Sequence, residues 1–259
     1  MRYFVEFSYR GTEFHGSQTQ PNGVTVQETM EKAFTILFRT PVSLVFAGRT
    51  DAGVHAEQMF AHFDCQSLPM NENELVSRLN NLLPPSIALR AVVRVTDEAH
   101  ARFSALSRTY EYRTVDQKNP FLVGLATRVV PGLDYKRMNQ GARLLLGKKD
   151  FASFCKVHTD VKTTICDVTR AEWENGIFTI TADRFLRNMV RAVVGTLLDL
   201  GRGKIAEEDI NKIASTYNDF VAGKLEDVKG YCAVVETKQI AEGSFFTASS
   251  STFVVGLTT

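Results

Sequence analysis

The feature that most constrains this chain is the way hydrophobic spacing changes along residues 2 to 95. Tyr3, Val5, Phe7 and Tyr9 recur at every second position, the period of a strand with one buried side. A polar, glycine-rich loop follows from Arg10 to Gly23. Thr25-Val26-Gln27-Glu28 has the spacing of a capping box, in which the Thr hydroxyl and the Glu carboxylate each satisfy an amide of the first helical turn. Val26, Met30, Ala33, Phe34 and Leu37 continue at helical spacing and predict one buried face. Val42 to Ala47 and Glu57 to Asp64 read as strands. A second helix starts from an Asn71 cap, turns Leu75, Leu79 and Leu82 inward and ends before Pro84-Pro85. Ile87 to Val95 reads as a fourth strand.

Strand, helix, strand, strand, helix, strand is the split βαβ or ferredoxin-like order, which also underlies the RRM, an RNA-binding module. The second half is similar in kind. Arg108 to Val115 and Leu125 to Val130 read as strands, and Asp134 caps a helix whose Met138, Ala142 and Leu145 face one way, with Gly147 as its C′ residue. Lys162 to Glu172 and Gly176 to Ala182 read as a hairpin around Glu174-Asn175. Helices are expected over Arg184 to Leu200 and Glu207 to Ser215, and a last strand over Tyr231 to Glu236. The expected fold is therefore α+β: two ferredoxin-like (RRM-like) lobes with mostly antiparallel sheets flanked by helices, and a catalytic cleft between them. The boundaries fall at 1–103 for the first lobe and 104–240 for the second. Residues 241–259 form an atypical tail with no assigned role, uncharged from Gly243 to Thr259. Such a fold hosts many chemistries, so it does not decide function.

Bulk properties exclude more than they identify. Lysine plus arginine exceed aspartate plus glutamate by 30 − 29 = 1, so an RNA-binding surface has to come from local asymmetry. Arg184, Arg187, Arg191, Arg202 and Lys204 oppose only Asp199 between residues 184 and 204. Lys136, Arg137, Arg143, Lys148 and Lys149 make another basic cluster. Cysteines 65, 155, 166 and 232 have no C-x-x-C spacing, which suits a reduced cytoplasmic protein. The histidines have no H-x-x-x-H pair, so no metal site is expected. The opening MRYFVEFSYR alternates instead of running apolar, unlike a signal peptide, and no apolar run approaches a membrane span.

The stretch richest in chemistry is Gly48-Arg49-Thr50-Asp51-Ala52-Gly53-Val54-His55-Ala56, set between two predicted strands. Asp-x-Gly is ordinary turn chemistry, but a cation, a hydroxyl, a carboxylate and an imidazole together exceed what a hairpin needs. GRTDAGVHA resembles the signature of the TruA family of tRNA pseudouridine synthases. Further matches follow in family order: His100 to Ala105 (HARFSA), Arg108-Thr109-Tyr110-Glu111-Tyr112 (R-x-Y-x-Y), Asp150 to Phe154 (DFxSF) and Phe185 to Gly195 (FL-x-x-MVR-x-x-VG).

The resemblance implies an isomerase that converts uridine to pseudouridine at positions 38 to 40 of the tRNA anticodon arm, without cofactor, as a homodimer. It implies Asp51 as nucleophile and Arg191 as the cation beside it. It also implies Tyr110 as the substrate-pocket tyrosine and Arg49 as the residue that occupies the space of the flipped base. Arg184, Arg187 and Arg191, at i, i+3 and i+7 of the expected helix, would share a face. Arg184 and Arg187 are candidates for the RNA backbone, and His55 either touches that backbone or holds the loop. One departure stands out: where the family usually has Trp or Tyr in G-[WY]-Q-x-Q, this chain has Ser17, which cannot stack, so that loop's contact with tRNA is expected to differ. The alternatives are an RNA-binding module of the same fold without turnover, and a pseudouridine synthase with another RNA target.

Overall fold

The computed structural model describes residues 1–155 and 162–210, which fall into two compact units meeting between Ser107 and Arg108. The fold is mixed α+β. The expected strand at Tyr231 to Glu236, the end of the helix at Glu207 to Ser215 and the tail lie outside the described residues.

The first unit runs β1 (Arg2–Tyr9), α1 (Val26–Phe38), β2 (Val45–Phe46), β3 (Ala56–Asp64), α2 (Glu72–Leu82) and β4 (Ile87–Val95). Its four-stranded sheet has the order β2-β3-β1-β4, and every neighbouring pair is antiparallel. The Thr25 hydroxyl accepts the Glu28 N–H at 3.2 Å and Asn71 Oδ1 accepts the Glu74 N–H at 3.0 Å, so both helices begin on caps. α1 ends at Arg39, in the left-handed region at φ 55°. The alternation in β1 sends Tyr3, Val5 and Phe7 to one face, opposite Phe63, Ala61 and Met59 of β3. There Phe63 meets Phe34 and Phe38 edge-on at 5.2 and 5.7 Å, locking α1 to the sheet. Val5, Phe7, Met30, Phe34, Leu75 and Leu79 are fully buried, each adding about 1.5–3 kcal/mol. Leu82 is the exception, 43% exposed, because α2 stops there and the next residue, Leu83, turns in instead. Segment 99–103 crosses the other face, where the Ala101 N–H donates to His62 Nδ1 at 3.1 Å.

The second unit runs β5 (Arg108–Val115), β6 (Thr127–Arg128), α3 (Tyr135–Arg143), β7 (Gly147–Asp150), β8 (Ile165–Glu174), β9 (Ile177–Ala182) and α4 (Met189–Gly201). Among the described residues its sheet is five-stranded, in the order β6-β5-β9-β8-β7, with only the short β5–β6 pair parallel. The β8–β9 hairpin closes through Asn175 and Gly176 at φ 50° and 78°, the positive pair that a tight twisted hairpin demands. Asp134 Oδ1 caps α3 on the Arg137 N–H at 2.9 Å. α3 and α4 pack at glycines: a Cβ on Gly141 would come within 2.5 Å of Leu200 Cδ2 and Ile210 Cδ1.

Several expectations are corrected here. The strand expected over Leu125 to Val130 shrinks to Thr127–Arg128, since residues 120–122 form a 3-10 turn. Gly147 does not cap α3, which stops at Arg143; at φ 90° it opens the edge strand β7, whose polar GKKD sequence carries no strand signal. Most consequential is α4, which begins at Met189 and not at Arg184. Asn188 takes the left-handed conformation, φ 64°, and residues 184–188 are not helical. Among the described residues no helix is long and apolar enough to cross a membrane.

Candidate active site

The loop from Gly48 to His55 joins β2 to β3 and is fastened along its length to residues 9–17. Thr50 is its anchor. The Thr50 N–H donates to Ser17 Oγ at 2.8 Å, its carbonyl accepts the Ser17 N–H at 3.1 Å, and its hydroxyl bonds the Tyr9 hydroxyl at 2.8 Å. Further on, the Gly53 N–H donates to the Phe14 carbonyl at 3.1 Å, and His55 Nδ1 accepts the Gly11 N–H at 2.9 Å. The two loops lie so close that a Cβ on Gly11 would sit 1.8 Å from the Val54 carbonyl oxygen. Gly16 is constrained twice, by φ +94° and by the Thr50 carbonyl 2.8 Å from where its Cβ would be.

The result is a loop sorted by direction. Thr50, Val54 and His55 are buried, whereas Arg49 and Asp51 are exposed on either side of Thr50. A carboxylate and a guanidinium are thus presented outward from a backbone that cannot drift. His55 is only 5% exposed, and its bond to the Gly11 N–H ties the loop to residues 9–17. Ser17, which stands where the family usually has an aromatic residue, is fully buried and bonds the Thr50 peptide. The sequence singles out Ser17 only as a departure from the family's aromatic residue and gives no pointer to Tyr9 or Gly11; the glycines of the 10–23 loop are the available signal, without a partner to point to.

In the second unit Tyr110 is half-buried on β5, its ring edge-on to Phe185 at 4.7 Å. Tyr112, two residues on, is fully buried, and burial pushes its phenol up to about 12 despite the bond to Thr127 Oγ1 at 3.0 Å. Asp183 organises the segment before α4: its Oδ1 accepts the N–H groups of Asp167 and Arg184 at 2.8 and 2.7 Å, and its carbonyl accepts Arg108 Nη1 at 3.0 Å. Arg184 and Arg187 are exposed in this segment, and Arg184 lies 3.7 Å from Asp183. The expected cationic stripe on one helix face is corrected, because neither arginine is helical. Within α4 every residue except the half-buried Arg191 is buried, so the helix is enclosed on all sides and carries Thr196 and Asp199 among its apolar residues. Arg202 and Lys204 share Asp199 at 3.4 and 3.7 Å. In the other basic cluster Lys136, Arg143, Lys148 and Lys149 are exposed, while Arg137 donates to the Ile205 carbonyl at 3.1 Å. Among the described residues no group of three or more His, Cys, Asp or Glu is placed to hold a metal ion.

A family model described as tRNA pseudouridine synthase matches residues 142–228. Curated relatives extend the likeness to nearly the whole length. Proteins named tRNA pseudouridine synthase A from Bacteroides fragilis and Porphyromonas gingivalis are each 48% identical over 86% of this chain, covering 90% and 91% of their own lengths. The protein of that name from Bacillus licheniformis is 38% identical over 89% of the chain and 96% of its own. The chain belongs to the tRNA pseudouridine synthase A family.

Proposed function

We propose that this protein converts uridine to pseudouridine in the anticodon arm of tRNA, at positions 38 to 40, with Asp51 as the nucleophile. The reaction breaks the bond from uracil N1 to ribose C1′, turns the base and rejoins it through C5. Oxidation state is unchanged, so the proposal includes no cofactor. One observation carries it: in a member of this family, Asp51 is held outward by a loop fastened on both sides to residues 9–17. Nucleophilic catalysis needs that pre-set geometry.

In this reading Arg191 supplies the positive charge that offsets the loss of water from around the nucleophile when the base enters. Tyr110, already braced by Phe185, stacks on the flipped uracil, and Arg49 occupies the space it leaves. Arg184 and Arg187 contact phosphates, which supply most of the affinity for RNA. The order β2-β3-β1-β4 in the first unit supports reading it as a ferredoxin-like lobe. The second repeats its logic, since β9 lies beside β5 as β3 lies beside β1. We assign both to that arrangement, with boundaries at 1–103 and 104–240, in a cytoplasmic homodimer.

The test is Asp51→Asn assayed by tritium release from tRNA carrying 5-tritiated uridine. Release should stop while tRNA binding stays within about threefold, because the change removes a charge but not the fold. Full release from that variant would remove Asp51 as nucleophile.

A further inference from the structure

We infer that Ser17 is a positioning residue for the reaction, acting through Thr50 on the orientation of Asp51. The inference rests on the reading of Asp51 as nucleophile, but its observations are separate. Ser17 touches both peptide planes that flank Thr50. Its Oγ accepts the N–H of the Arg49–Thr50 peptide at 2.8 Å, and its own N–H donates to the carbonyl of the Thr50–Asp51 peptide at 3.1 Å. A peptide unit is rigid, so fixing one polar group in each plane fixes the direction in which the chain leaves Thr50. Asp51 is the next residue out and Arg49 the one before, and both face solvent.

Ser17 is itself anchored to a rigid element. Its carbonyl accepts the Gln27 N–H at 3.0 Å, and the Gly16 carbonyl accepts the Val26 N–H at 3.3 Å, so residues 16 and 17 sit on the first turn of α1. Position is thereby passed from a packed helix, through one serine, to the loop that carries the nucleophile. The side chain matters as well as the backbone. Without the hydroxyl, the N–H of Thr50, a residue only 9% exposed, loses its acceptor, and a buried donor rotates to find another. The Tyr9 hydroxyl bonds the Thr50 side chain and not that peptide N–H. The contact surface of the protein is unchanged by the substitution, so the effect belongs in the chemical step and not in tRNA binding.

The experiment compares Ser17→Ala, Ser17→Thr and Thr29→Val with the parent protein on tRNA at single turnover, because product release often limits kcat. Thr29 is the control: its hydroxyl donates to the Thr25 carbonyl at 2.8 Å on the same helical turn, away from the loop. Ser17→Ala should lower the single-turnover rate about tenfold with KM moved by less than about twofold, and Ser17→Thr, which keeps an oxygen acceptor, should recover most of that loss. Thr29→Val should lower the thermal midpoint comparably and leave the rate alone. A Ser17→Ala rate within about twofold of the parent overturns the inference, as does an equal rate loss in Thr29→Val. Should Ser17→Ala not fold, Ser17→Cys decides, since a thiol is a poor acceptor of similar size: a lowered rate supports the inference and a parental rate sinks it. Asp51→Asn run beside these separates the two readings. An inactive Asp51→Asn with a fully active Ser17→Ala defeats only the role of Ser17, whereas an active Asp51→Asn defeats the nucleophile.

Discussion

The loop at 48–55 and the segment at 183–188 both present arginines beside a sheet, and they are held by different means. The first is joined to a neighbouring loop by backbone amides, hydroxyls and an imidazole, with two glycines permitting the approach. The second is gathered at one carboxylate, Asp183, and leaves Arg184 and Arg187 exposed in non-helical chain. A group that must meet a reacting atom needs its backbone fixed to within a fraction of an ångström. A cation that screens a phosphate needs only to be near the surface, since that attraction is long-ranged and tolerant of angle.

The strongest way to break this comparison is at the glycines. Gly11→Ala sets a Cβ against a backbone oxygen that cannot yield, and should cost about 3 kcal/mol or more and detach the 48–55 loop. Gly141→Ala in the second unit meets the side-chain ends of Leu197, Leu200 and Ile210, and should cost about 1–2 kcal/mol. Hydrogen exchange resolved by segment checks both: equal protection of residues 48–55 in the two variants would remove the distinction.

Acid should separate the units next. Burial, with the nearby Arg2 and His100 adding to it, pushes the His62 imidazole down to about 4 from the ordinary 6.5. The unfolded chain therefore takes up the proton first. Stability from this site is complete above about pH 6.5 and is lost as pH falls towards 4, by on the order of 2 kcal/mol. Protonation also ends the bond from the Ala101 N–H to His62 Nδ1. His62 belongs to the first unit, so the loss traced to it should appear there. Unfolding measured between pH 7 and 4 should show that slope, and His62→Gln should flatten it.

The smallest expected effect lies in the 183–188 segment. Arg187→Ala should reduce the slope of log affinity for tRNA against log salt by about 1, with stability unchanged. An unchanged slope would return Arg187 to the ordinary surface and leave Arg184 as the segment's candidate.

Much of the first unit was legible because its signals are local. Period-two alternation in β1, the Thr25 and Asn71 caps and the prolines after α2 each act within a few residues, and each appears where expected. The error at α4 has the same origin. Spacing from Arg184 to Leu200 fits a helix, but Asn188 reverses the chain, because Asp183 collects amides and a guanidinium from β8, its own segment and β5. No window around residue 184 contains those partners.

The sequence by itself determined the mixed α+β class, most helix and strand positions and the residues of the GRTDAGVHA loop, since propensity, capping and periodicity depend on near neighbours. Only the tertiary structure decided which of those loop residues point outward, that His55 and Ser17 are internal struts, and that the arginines before α4 share no helix face. Those outcomes rest on hydrogen bonds between residues far apart in the chain, such as Ser17 with Thr50 and Gly11 with His55, whose geometry exists only once the sheet has brought the two loops together.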